Sequence, residues 1–235
     1  MSDSELRICV DRVAPLSPTI VLPDGRLAGM RDKLWPDHQR VLHVRFLGGD
    51  TRIHARIERI ATEWMQHAHI RFIFDNAPNA TIRISFERGA SWSYLGTDAL
   101  DPTLDPEAPT MNFGWFSPAT PHDELQRVVL HEFGHALGMI HEHQSPAADI
   151  PWDKQAVYDY YAGPPNRWSR EQVDHNIFNR YRFDQANASA FDPASIMLYP
   201  VPPEFTNGKF VVGWNRTLSA IDRSFIAQVY PPPGK

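Results

Sequence analysis

The chain has 235 residues, 42% of them hydrophobic and 22% charged, with a formal net charge of -5. That size and balance predict one globular domain of ordinary soluble composition, with or without a short extension. The absence of a basic run argues against a nucleic-acid partner, and no apolar stretch approaches the length of a membrane span.

One cysteine, Cys9, excludes an intramolecular disulfide and a cysteine-rich zinc site, while 11 histidines leave imidazole available as a metal ligand. The polar, acidic start Met1 to Glu5 shows no secretory signal, which leaves cytoplasmic residence, another export route or a signal already removed as the expectations.

Residues 1–34 are punctuated by Pro15, Pro18 and Pro23, lack a sustained period, and are expected to pack as an extension on the outside. From Val41 to Leu47 apolar and polar residues alternate, with His43 and Arg45 facing the other way, which predicts a strand. Asp50 can cap the next helix, whose inner face is Ile53, Ile57, Ile60, Ala61 and Trp64. Ile70, Phe72 and Phe74 alternate, as do Ile82, Ile84 and Phe86, giving two more strands. Ser91 to Gly96 is a fourth candidate. A loop rich in Asp and Pro then leads to a short fifth, Thr110 to Phe113.

A strongly marked helix follows. Thr120 is a capping residue, Pro121 suits the first helical position, and Asp123 answers the cap and the helix dipole. Leu125, Val128, Val129, Phe133, Ala136 and Leu137 predict that this helix is buried. Yet it carries two histidines and a glutamate, and each polar group left unsatisfied there would cost about 1–3 kcal/mol. Beyond it, Ser169 to Gln172 reads as a capping box with Val173 and Ile177 at helical spacing. A last helix is expected from Ser219, with Asp222 completing its cap, Ile221, Phe225, Ile226 and Val229 as inner face, and Pro231 ending it.

The segment His131-Glu132-Phe133-Gly134-His135-Ala136-Leu137-Gly138-Met139-Ile140-His141 supplies the reason for the buried polar groups. His131 and His135 lie four apart and share a helix face. A helix continued to His141 would carry it about 15 Å along the axis at about 1.5 Å per residue. Gly138 can adopt the left-handed conformation that stops the helix and brings His141 back. Three neutral imidazoles suit one zinc ion with an open position, and Glu132 can reach a water polarised by it.

This His-Glu-x-x-His-x-x-Gly-x-x-His pattern resembles the zinc signature of the metzincin metalloproteases, and Ser195-Ile196-Met197-Leu198-Tyr199 resembles their Met-turn. Within that group the chain is similar to the astacins. Glu142 follows the third histidine, Ser91 to Gly96 resembles the edge strand against which substrate lies extended, and Tyr199 stands two residues after the methionine. Two features depart from the astacin pattern: Ser91 stands where a disulfide cysteine is expected, and Leu198 replaces a common histidine.

The resemblance implies an α+β, zincin-like fold. Its upper lobe would hold a twisted mixed five-stranded sheet with two long helices, and a smaller irregular lower lobe would end in a C-terminal helix. It further implies residues 1–34 as a candidate pro-segment and 35–235 as a catalytic domain. One catalytic zinc would be held by His131, His135 and His141. Glu132 would act as general base and acid, and Tyr199 would donate to the oxyanion. A protein or peptide substrate, a monomeric state and extracellular residence come from the same source. The alternative is a latent or inactive zinc-binding module that recognises extended peptides without cutting them; Glu132 argues against it.

Cys9, in the setting Arg7 to Asp11, loosely resembles the matrixin cysteine switch, but a lone cysteine reads first as a small buried apolar residue. In the astacin resemblance Glu142 would bind the freed N-terminus, with a local salt bridge as the other reading; His143 is expected to be a surface residue or to support the ligands without binding metal. Asp50 reads as a helix cap in preference to an inhibitory aspartate. Asp98, Asp101, Asp105 and Glu107 could hold calcium, but their spacing favours a solvated loop.

Overall fold

A computed structural model describes residues 7–10, 12, 20–21, 27–28, 33–164, 166–181 and 190–233. The alternation after Arg40 produces β3 (Val41–Phe46), which buries Leu42 and Val44 and leaves His43 and Arg45 at the margin. Ahead of it, β1 (Ile20–Val21) and β2 (Leu27–Ala28) form a small antiparallel pair. Four more strands complete the main sheet: β4 (Arg71–Ile73), β5 (Ile82–Ser85), β6 (Trp92–Ser93) and β7 (Met111–Asn112), in the order β4-β3-β5-β7-β6. All neighbours are parallel except β6, which runs antiparallel to β7 at the sheet edge. The central strand β5 is buried at all four residues, as expected of a parallel strand covered on both faces.

Asp50 caps α1 (Thr51–Ala61) by accepting from the Arg52 amide, and Ile53, Ile57, Ile60 and Ala61 turn inward as their spacing requires. Against α1 lies α2 (His122–Ala136), and the Trp64 indole donates to the Leu130 carbonyl between them at 3.0 Å. The expected cap is corrected. The Thr120 hydroxyl accepts from the Ser117 amide, so it closes the preceding turn, while Pro121 holds the cap position without a side-chain bond. Asp123 and Glu124 supply negative charge to the first turn of the helix instead.

The second half builds its own core from Ile150, Val157, Tyr161, Val173, Ile177, Val201 and Phe205. Its elements are α3 (Lys154–Ala162), which the sequence pattern did not reveal, and the short α4 (Arg170–Val173), entered through the expected capping box at Ser169. The last helix is α5 (Ala220–Val229), with Ser219 and Asp222 as a capping box. Its inner face is narrower than expected, because Ile221 is 37% exposed whereas Ile226 is fully buried.

The N-terminal segment is a second correction. Ile8 and Cys9 do not lie outside; they are 3% and 4% exposed and pack into the second core, in the cleft between the two clusters. Of the remainder of residues 1–34, only the positions named above are described.

Candidate active site

Helix α2 presents His131 and His135 from one face, and their Nε2 atoms stand 3.1 Å apart. Gly138 then takes φ +85°, its amide bonding to the His135 carbonyl and the Met139 amide to the Gly134 carbonyl, so the helix stops in one residue. The reversed chain places His141 with its Nε2 also 3.1 Å from that of His135. Met197 is fully buried, and a Cβ on Gly134 would stand 2.4 Å from its sulfur, so the missing side chain is what lets the Met-turn approach the helix. Asp222 fastens that turn by accepting from the Ile196 amide at 2.8 Å and from the Ser195 hydroxyl at 2.7 Å.

The hydrogen bonds decide the imidazole tautomers. His131 Nδ1 faces the Ile196 carbonyl at 2.8 Å and His135 Nδ1 faces the Met139 carbonyl at 2.7 Å. A carbonyl only accepts, so each Nδ1 carries the proton and each Nε2 is a bare lone pair. Bare nitrogens cannot hydrogen-bond to one another. Tetrahedral ligands at about 2.0–2.1 Å from zinc stand about 3.3 Å apart, so the observed separations fit a zinc donor set. Burial first, and then the neighbouring His135 and His141, hold His131 well below the ordinary histidine range; burial and then His143 do the same to His141. Rings kept neutral in this way are ready to ligate.

Glu132, 1% exposed, lies against this cluster. Its Oε2 receives a hydrogen bond from Cys9 Sγ at 3.3 Å. The Cys9 sulfur and the ligand nitrogens of His131, His135 and His141 all lie within 4.8 Å of one another, the only such cluster among the described residues. Cys9 is buried, as expected, but the reading of it as mere apolar packing is corrected: its sulfur stands among the three imidazole nitrogens, in a group of atoms that could hold a metal ion. The Tyr199 hydroxyl donates to the Cys9 carbonyl at 2.6 Å, and its ring stands 4.3 Å from that of His141.

The segment holding Cys9 lies extended along the sheet edge. Cys9 and Arg12 are in parallel register with Ser91 and Tyr94, and the Val10 amide donates to the Ser91 carbonyl at 3.2 Å. Beside Cys9 opens a cleft lined by Ile8, Trp115, Arg127, Val128, Trp214 and Asn215 among others. Arg127 was not foreseen from the sequence. Its guanidinium lies 3.8 Å over the Trp214 ring, pairs with Glu124 at 2.7 Å, and donates to the Arg7 carbonyl at 3.3 Å. Arg127 stands one turn before His131, so the helix spacing alone could have drawn attention to it.

Other residues singled out from the sequence have separate engagements. Glu142 accepts from the Asp192 amide at 2.9 Å, and burial pushes its carboxyl up to about 7. His143 is 1% exposed, with Nε2 2.8 Å from the Asn176 carbonyl, and stands outside the donor cluster. Asp98 pairs with Lys33, Asp101 closes a turn onto Thr103, Asp105 accepts from the Glu107 amide, and Glu107 pairs with Arg45. The buried Ser91 accepts from the Gly114 amide, so a hydrogen bond stands where the resemblance expects a disulfide cysteine.

A mixed five-stranded sheet backed by two helices, with three converging imidazoles, a glutamate beside them and a methionine below, defines the metzincin class of zinc peptidase. No protein-family model matches the chain. A solved structure of myroilysin superposes with a TM-score of 0.83 at 47% identity, covering 87% of this chain and 98% of that one. A crystal structure of myroilysin gives 0.69 at 41% identity, over 97% and 93% of the two chains. High choriolytic enzyme 1, a hatching enzyme zinc-protease of the medaka fish Oryzias latipes, shares the fold at a TM-score of 0.58 and 18% identity, over 84% of this chain and 94% of that one. Zinc metalloproteinase nas-38 of Caenorhabditis elegans is 25% identical over 168 residues, 70% of this chain and 19% of that protein, so the chain spans about a fifth of that relative's length. This chain belongs to the astacin-like metzincins, zinc-dependent endopeptidases that hydrolyse peptide bonds with one catalytic zinc ion.

Proposed function

We propose that the chain is a latent form of such an endopeptidase. In this reading residues 35–235 form the catalytic domain and residues 1–34 the pro-segment that blocks it. His131, His135 and His141 would hold zinc through Nε2. The two carbonyl-fixed tautomers, with their bare nitrogens converging at 3.1 Å, carry this assignment. Bound there, zinc supplies Lewis acidity, which acidifies water and polarises a peptide carbonyl.

Glu132 does the proton work. Its carboxylate takes a proton from the attacking water at Oε2 and returns it to the leaving amine nitrogen. The Tyr199 hydroxyl donates to the developing oxyanion. Its present bond to the Cys9 carbonyl supports this role, since a peptide carbonyl is already held against it.

Latency rests on Cys9. Its sulfur fills the position that substrate needs, and its hydrogen bond engages the carboxylate needed as base. The Val10 amide meanwhile uses the Ser91 carbonyl of the edge strand, and the Arg7 carbonyl uses Arg127. A segment that takes up the metal position, the base and the strand edge together excludes an extended peptide.

No described helix is long and apolar enough to cross a membrane. We infer a monomeric, extracellular enzyme acting on protein or peptide substrates, in keeping with the family. The test is metal content by emission spectrometry together with casein cleavage by the full-length chain and its Cys9→Ala variant. One zinc per chain, with slow cleavage that rises in Cys9→Ala and stops on adding a chelator, is expected. Equal rates for the two would remove Cys9 as the restraint; zinc binding without cleavage by either would favour the module that recognises peptides without cutting them.

A further inference from the structure

Arg12 places its guanidinium carbon 3.8 Å from the centroid of the Trp92 ring. The two meet because Cys9, Val10 and Arg12 pair with Ser91 and Tyr94 on the side of β6 away from β7. Trp92 is 9% exposed, belongs to the main core and meets the Tyr94 ring edge-on at 5.7 Å. An indole so fixed, with a cation on its open face, is a rigid π surface whose electron-rich face attracts positive charge.

Another indole under a guanidinium lines the cleft beside Cys9, Trp214 beneath Arg127. There the catalytic domain provides its own cation, with Glu124 paired to it. The Trp92 face differs: its cation belongs to the segment that must leave for substrate to enter. Once the segment is gone, the Ser91 carbonyl and the Trp92 face are exposed side by side along one strand.

We propose that Trp92 is a specificity-determining residue whose face forms a subsite for an arginine or lysine side chain of an extended peptide substrate, and that Arg12 occupies this subsite in the latent chain. The proposal rests on the reading above, in which residues 7–12 lie where substrate lies. Cation–π attraction at a partly exposed site corresponds to about two- to thirty-fold in affinity or kcat/KM.

The test uses the full-length chain carrying Cys9→Ala and a peptide series with one arginine stepped through three positions on either side of the cleaved bond. Each peptide is paired with its citrulline counterpart, which has the same shape and no charge. Arginine should exceed citrulline by about two- to thirty-fold in kcat/KM at one position. Trp92→Leu should erase that preference and Trp92→Phe should keep part of it, the latter guarding against a folding failure. The same peptides, titrated by fluorescence anisotropy into a full-length chain carrying both Cys9→Ala and Glu132→Gln, read the subsite without cleavage and should rank the same way. Equal treatment of arginine and citrulline at every position, or a preference unmoved by Trp92→Leu, overturns the proposal. If nothing is cleaved, the peptidase reading fails, and the anisotropy ranking still decides the subsite.

Discussion

Replacing Gly138 by alanine should weaken zinc binding by a route that can be worked through atom by atom. Gly138 has φ +85°, where a residue with a Cβ costs about 1–2 kcal/mol more than glycine. The added Cβ would also stand 3.0 Å from Leu34 Cδ2 and 3.4 Å from the Lys33 carbonyl oxygen. Leu34 can rotate aside. The Lys33 backbone has less freedom, because its side chain is buried in an ion pair with Asp98. Relief therefore comes from the turn itself, and His141 follows three residues later. If the whole cost falls on the zinc-loaded state, affinity drops by about five- to thirty-fold. At about 2–4 °C per kcal/mol, the melting temperature of the zinc-loaded chain should fall by about 2–8 °C. Gly208→Ala is the control, since Gly208 has φ +73° with nothing within 4 Å of its Cβ position. It should lose stability without losing zinc affinity. Scanning calorimetry and competition with a chromophoric chelator measure both quantities. A Gly138→Ala chain that binds zinc as tightly as the Gly208→Ala control would refute the claim that this turn positions the third ligand.

Three further outcomes follow from the same geometry. Removing zinc with a chelator should lower the melting temperature of the full-length chain, because the buried imidazoles and Cys9 lose the ion that draws them together; an unchanged melting temperature would count against a structural hold on the segment. Asp222→Ala leaves the Ile196 amide and the Ser195 hydroxyl without their acceptor, a cost of about 2–6 kcal/mol at about 1–3 per donor, and also removes the acceptor of the Ser219 amide in the cap of α5. A melting temperature within about 2 °C of wild type would mean that the Met-turn does not depend on it. Asp50 is lowered from 3.8 to about 2, first by its side-chain bond from Arg52 and then by the Arg52 amide. Because the folded pKa is the lower one, its stabilising effect is present above about pH 4 and is lost as the pH falls toward 2. The stability gap between wild type and Asp50→Ala, followed by urea unfolding, should therefore narrow on acidification; a gap that widens would reverse the assignment.

The zinc segment was legible because its information is local. The spacing of His131 and His135 follows from helix periodicity, and Gly138 announces the reversal, so no distant contact had to be known. The strands at Leu42 and Phe72 were legible for a related reason, since alternation survives where a strand buries one face, and β5 keeps an alternating sequence at Ile82 and Ile84 although all four of its residues are buried. The cap at Asp50 and the capping boxes at Ser169 and Ser219 also depend on neighbours within three residues.

What was missed depends on distant partners. Cys9 joins His131 across 121 intervening positions, and the loose likeness of Arg7 to Asp11 to a cysteine switch was too weak a local signal to outrank plain burial. Thr120 has two amides within reach, and the turn at Ser117 captured it. In α3 only Val157 and Tyr161 are buried, too sparse a stripe to read as a helix. Ile221 has the spacing of an inner residue, but among the described residues it stays exposed on that edge of α5.

The central claim is that the three histidines hold zinc while Glu132 moves the proton, and one paired measurement addresses both. Zinc content and peptide cleavage should be determined on the same preparations of the Cys9→Ala chain with and without Glu132→Gln. One zinc in each, with cleavage reduced by at least about a hundredfold in the Glu132→Gln chain, is the predicted result. A Glu132→Gln chain that keeps its zinc and still cleaves at an undiminished rate would contradict the account.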